Sequence, residues 1–151
     1  MPSRNNVLEA LNDVRLLLSD VGNHVDLILV EGPRDLEALR DLGYGGRAET
    51  LSQVGVQSND LVNAFAKNSS NVLILTDFDE EGRVLERRLT EMFEKAGVKV
   101  EKGIRRHFGR LMGALRVYEV EDLEKLRVDE RLPLGDAARQ AVAEPDRIVV
   151  G

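Results

Sequence analysis

The sequence predicts an α/β fold, doubly wound, with a mainly parallel sheet and helices on both faces. Three observations carry that expectation. Two short, uninterrupted apolar runs, Leu27 to Val30 and Val72 to Leu75, suit strands buried on both faces. Stretches with apolar residues at helical spacing alternate with them, as right-handed crossovers between parallel strands require. Glycines stand where the helical patterns stop, at Gly22, Gly43 and Gly97.

Taken in order, Val7, Leu8, Leu11, Val14, Leu18 and Val21 mark an amphipathic helix over residues ~5 to 21. The first strand, "LILV", ends at Glu31; Gly32 allows a turn, Pro33 suits a first helical position, and Leu36, Leu39 and Leu42 form the next apolar stripe. A glycine-rich connection leads to a short strand around Ala48 to Leu51, and Ser58 opens a helix with Leu61, Val62 and Phe65 on one face. The strand Val72 to Thr76 follows, then a helix through Val84, Leu85, Leu89, Met92, Phe93 and Ala96, then a short strand in "VKVEKG". Beyond Gly103 the pattern predicts a short strand at "LRVYEV", helices near Asp122 to Leu126 and Asp136 to Ala143, and a last apolar piece "RIVV".

The 151 residues, 42% hydrophobic and 32% charged, suffice for one compact domain. The expected organisation is a helical extension over 1–24, a core domain over 25–105, and a C-terminal extension over 106–151 on the same core. With no cysteine and only His24 and His107, a thiolate or histidine-rich metal site is excluded, so any metal is one that prefers oxygen ligands. Neither a signal-peptide pattern nor a run of ~20 apolar residues is present, and a soluble, cytoplasmic protein is expected. A net charge of -6 argues against an all-round basic coat, though it leaves room for a local basic face.

Asp77, Asp79 and Glu81 follow the second apolar run at alternate positions, and Glu31 ends the first. Alternation along a strand turns Asp77 and Asp79 the same way and Phe78 the other. Ligands bind at the carboxyl ends of strands in open parallel sheets, and these acids stand there. Acids after a strand also solvate loops or favour the start of the next helix. A cluster drawn from two strands would carry repulsion that a divalent cation relieves, and Mg²⁺ suits hard carboxylate oxygens, with Mn²⁺ as a substitute.

"LILVEG" followed by "VLILTDFDEEG" resembles the Toprim domain, the module shared by type IA and type II topoisomerases and bacterial primases. That family ends its first strand with Glu and a later one with Asp-x-Asp, sometimes extended to Asp-x-Asp-x-Glu. The resemblance implies that Asp77 and Asp79, with Glu81, ligate Mg²⁺, and that Glu31 ligates the metal or acts as general acid or base at a phosphodiester. The family's usual Lys after the motif glycine is replaced here by Pro33 and Arg34, which makes Arg34 a candidate phosphate contact. Tyr44 and Tyr118 are the sole tyrosines, and the length leaves no room for a strand-passage domain, so a small stand-alone Toprim protein is expected.

Lys99, Lys102, Arg105, Arg106, Arg110 and Arg116 against Glu101 form a basic stripe, of which Lys102, Arg105, Arg106 and Arg110 are candidate phosphate contacts. The alternative is a solvated surface paired with the acids at 119–124. The leading expectation is a Mg²⁺-dependent protein acting on phosphodiester bonds of DNA or RNA, as a small nuclease or a catalytic subunit with a protein partner. The rivals are a noncatalytic module that binds nucleic acid or protein, and a phosphatase of the haloacid-dehalogenase type using Asp77 as nucleophile.

Overall fold

The computed structural model describes residues 4–52, 58–123, 126, 146–147 and 149–150. Helix α1 (Arg4–Asp20) and a 3₁₀ turn (Val21–Asn23) precede the alternating part of the chain: β1 (Leu27–Val30), α2 (Pro33–Asp41), β2 (Ala48–Thr50), α3 (Ser58–Ala66), β3 (Asn71–Leu75), α4 (Glu80–Lys95), β4 (Lys99–Val100) and α5 (Lys102–Leu115). The strands form one parallel sheet in the order β2-β1-β3-β4. The short pieces β5 (Asp146–Arg147) and β6 (Val149–Val150) pair with each other.

Strand β1 and residues 72–75 of β3 are wholly apolar because both of their faces are covered. Ile28, Val30, Leu73 and Leu75 pack with Leu11, Val14 and Leu18 of α1, Leu39 of α2, and Phe108 and Met112 of α5. Leu27, Leu29, Val72 and Ile74 pack on the opposite side with Val62 and Phe65 of α3 and Leu89 and Phe93 of α4. Alternation along each strand assigns residues to one layer or the other. Burying a side chain of this size contributes on the order of 1.5–3 kcal/mol, so these two layers hold the sheet. Gly97, with φ +84, ends α4 in a conformation that side chains other than glycine disfavour.

Sheet order fixes where a ligand can approach. Helix α2 carries the chain from β1 outward to β2, whereas α3 carries it back across β1 to β3. The winding therefore reverses between β1 and β3, and the crevice outside their carboxyl ends is the binding position of such sheets. Glu31 and Asp77 stand on either side of that reversal.

The expected elements are present from α1 to β4. Helix α5 is an addition: the sequence pattern predicts no helix between Gly103 and the strand expected at "LRVYEV". Gly103, Gly109 and Gly113 lower its intrinsic helix propensity, and packing of Phe108, Met112 and Leu115 into the core outweighs that deficit. The expected strand at "LRVYEV" is not formed, because Leu115 ends α5, Arg116 turns the chain with φ 59, and residues 117–118 are irregular. Helical geometry is found at Asp122, Leu123 and Leu126, while the helix expected over Asp136 to Ala143 lies outside the described residues. Among the described residues no helix is long and apolar enough to cross a membrane.

Candidate functional site

The acids at the crevice are held by backbone N–H groups. Asp77 N donates to Glu31 Oε2 at 2.8 Å, which ties the end of β1 to the end of β3. Val120 N donates to Asp77 Oδ1 at 3.1 Å. Asp79 caps α4, its Oδ1 accepting from Gly82 N at 2.7 Å. Each of these three carboxylates thus has one oxygen fixed, and among the described residues its other oxygen has no partner.

A fourth acid joins them. Asp35, in the first turn of α2 and only 6% exposed, accepts from Gly32 N at 2.9 Å and from Glu121 N at 3.1 Å. Burial raises its pKa, and Glu121 and Glu31 add to that rise. Sequence reading missed Asp35 because the eye follows Leu36 and Leu39 along the same helix. Its signal was present: an acid three residues beyond a turn glycine is placed to accept that glycine's N–H.

Asp77 carries the main electrostatic signature. Burial lifts its carboxyl from 3.8 to about 7, and the charges of Glu31, Asp35 and Asp79 push the same way, opposed by the bond from Val120. The acids of β1, α2 and the β3–α4 turn therefore act on one another. Glu81 does not belong to this group. The strand ends at Leu75 and α4 begins at Glu80, so alternation stops before residue 81, which stands exposed beside Glu80, Val84, Leu85 and Arg88.

The spacing of "TDFDEEG" has a steric reason. Thr76 Oγ1 donates to Gly82 O at 2.7 Å, pulling the first turn of α4 onto the end of β3. A Cβ on Gly82 would stand 2.0 Å from Asp77 O, so the turn closes only on glycine.

The basic residues part company. Arg105 is 9% exposed and donates to Ile74 O and Thr76 O, each at 3.0 Å, and to Asp77 O at 3.3 Å. Strand β4 pairs with β3 only at Asn71 and Val72, so this guanidinium serves the carbonyls that β4 leaves unpaired. It also lies 4.3 Å from the centre of the Phe78 ring, which stacks on Phe108. Lys102 pairs with Glu94 at 3.0 Å. Arg106 and Arg110 are exposed along a cleft with Arg83. Arg34 is exposed at the start of α2, and its side chain makes no hydrogen bond or ion pair among the described residues.

For a hard divalent ion, the free oxygens of Glu31, Asp77 and Asp79 are the right chemistry, and the charges of Glu31, Asp35 and Asp79, which add to burial in raising Asp77, are the repulsion such an ion would relieve. Their oxygens are not drawn to ligand spacing. Among the described residues, the acids whose oxygens gather within 4.8 Å are Glu119, Glu121 and Asp122, beside the segment that bonds Asp77.

Comparison with known proteins agrees with this architecture. The Toprim domain matches residues 26–111. The chain belongs to the Toprim domain family. A UPF0292 protein of Methanosarcina acetivorans is 33% identical over 116 residues, covering 77% of this chain and 78% of the relative. Another, from Methanosarcina barkeri, is 29% identical and covers 88% and 91% respectively. Among solved structures, a protein from Aquifex aeolicus superposes with a TM-score of 0.56 at 21% identity, covering 76% of this Toprim chain and 94% of that one, a likeness of fold.

Proposed function

We propose that this Toprim protein acts on phosphodiester bonds of nucleic acid with Mg²⁺ held at the β1–β3 crevice. The observation that supports it best is Asp77, a half-buried carboxyl lifted to about 7 at the switch point of the sheet. Asp77 Oδ2 and Asp79 Oδ2 are the atoms that would hold the ion. Bound Mg²⁺ would neutralise charge developing on the phosphoryl oxygens. Asp77 must be ionised to hold it, so binding releases a proton when the pH is below about 7. Glu31, fixed through Oε2 by Asp77 N, keeps Oε1 free to take or return a proton at the scissile oxygen. Asp35 and Gly82 position these groups by fixing the turns that carry them.

A second reading, a noncatalytic module for nucleic acid or a protein partner, is favoured by the spacing of the acids, which is wider than ligands around one ion. Assays on labelled single- and double-stranded DNA and RNA with Mg²⁺ or Mn²⁺ separate the two. The catalytic reading expects cleavage that Glu31→Gln abolishes while binding survives. Binding without cleavage of any of the four substrates supports the module instead.

A further inference from the structure

Two adjoining clefts of about 310 and 330 Å³ run along α5 and share Phe78, Arg83, Arg106 and Gly109. Their cations fall into two sets. Lys102 is paired with Glu94, and Arg105 is engaged with backbone carbonyls and stands 4.0 Å from Glu86. Arg83, Arg106 and Arg110 are exposed, and their side chains make no hydrogen bond or ion pair among the described residues. Three uncompensated guanidinium groups from two helices thus face one trough.

An exposed aromatic ring also lines that trough. It belongs to Tyr118, and the residue is 60% exposed. Its backbone is not loose: Phe78 N donates to Tyr118 O at 2.6 Å, and two residues on Val120 N donates to Asp77. The ring is therefore presented to solvent by a segment bonded directly to the acidic turn. Gly109 and Gly113 line the same cleft and add no side chain to it.

We infer that this trough binds single-stranded nucleic acid, with phosphates on Arg83, Arg106 and Arg110 and an unpaired base stacked on Tyr118. The inference rests on the reading of the crevice as a nucleic-acid site and adds which form of the polymer it takes. An exposed ring set beside backbone-binding cations stacks on bases that are free of a duplex, and a paired base offers no face to it. The strand would pass from the trough over Phe78 toward Glu31 and Asp77.

Fluorescence anisotropy of the full chain with labelled oligo(dT) and oligo(U) of about 12 nucleotides, in EDTA so that no turnover intervenes, tests this. Single strands are expected to bind more tightly than a duplex of the same length. Tyr118→Ala is expected to weaken binding about tenfold, and Tyr118→Phe to retain it. Arg106→Ala and Arg110→Ala are each expected to lower the salt slope by about 0.7, with Lys102→Ala changing it less. Equal affinity for duplex, or an unchanged affinity in Tyr118→Ala, overturns the inference and leaves the proposed chemistry standing. Tight single-strand binding by this trough with no cleavage under Mg²⁺ contradicts the chemistry alone.

Discussion

The acidic crevice and the basic flank are both runs of like charge, and they are built in opposite ways. At the crevice, Glu31, Asp77 and Asp79 are each fixed by a backbone N–H, yet burial, with the neighbouring acids adding to it, lifts Asp77 far above an ordinary carboxyl. Along α5, neighbouring arginines have unrelated roles: Arg105 is buried against the end of β3, while Arg106 faces the trough. The crevice concentrates charge at a place set by the sheet. The flank sorts its charge by helix face, so that one cation supports the turn and the next is left for a ligand.

The largest expected effect breaks the crevice sterically. Gly82→Val places a side chain against Asp77 O and is expected to destabilise the protein by about 3 kcal/mol or more, read as the shift of the denaturation midpoint. Next, Arg105→Met removes the donors to Ile74 O and Thr76 O and is expected to cost about 2–3 kcal/mol, while Arg106→Ala stays within about 0.5 kcal/mol. Equal effects for the two arginines would erase the distinction between them.

A smaller effect concerns pH. Asp77 titrates near 7 when folded and near 3.8 when unfolded, so its contribution is fully present below about pH 4 and is lost as the pH rises through 7. Partial exposure screens the effect, leaving about 1 kcal/mol. Asp77→Asn is accordingly expected to be about that much more stable than the native chain at pH 8 without metal and equal to it near pH 4. Urea unfolding at the two pH values checks the sign.

What could be read in the sequence follows the same division. The crevice was legible because Leu27 to Val30 and Val72 to Leu75 leave no choice but buried strands, and an acid at the end of such a strand has a fixed address. Asp35 was not, because its role comes from the turn glycine it bonds and from Glu121, 86 positions away. Glu81 stands in the first turn of α4, beyond the strand alternation that ends at Leu75. Helix α5 was hidden by its glycines, and without its helix face Arg105 and Arg106 look equivalent. Gly109 shows why: a Cβ there would come within 2.9 Å of the Phe78 ring, so the residue that weakens the local helix signal is the one that lets the helix dock.

The central claim is that the crevice is a cation site. Isothermal titration of Mg²⁺ into the native chain at pH 8 and pH 6 tests it, with Asp77→Asn and Asp79→Asn alongside. Binding at pH 8 that weakens at pH 6 and is lost in both variants is the predicted result. No binding at pH 8, or binding that both variants retain, would contradict it.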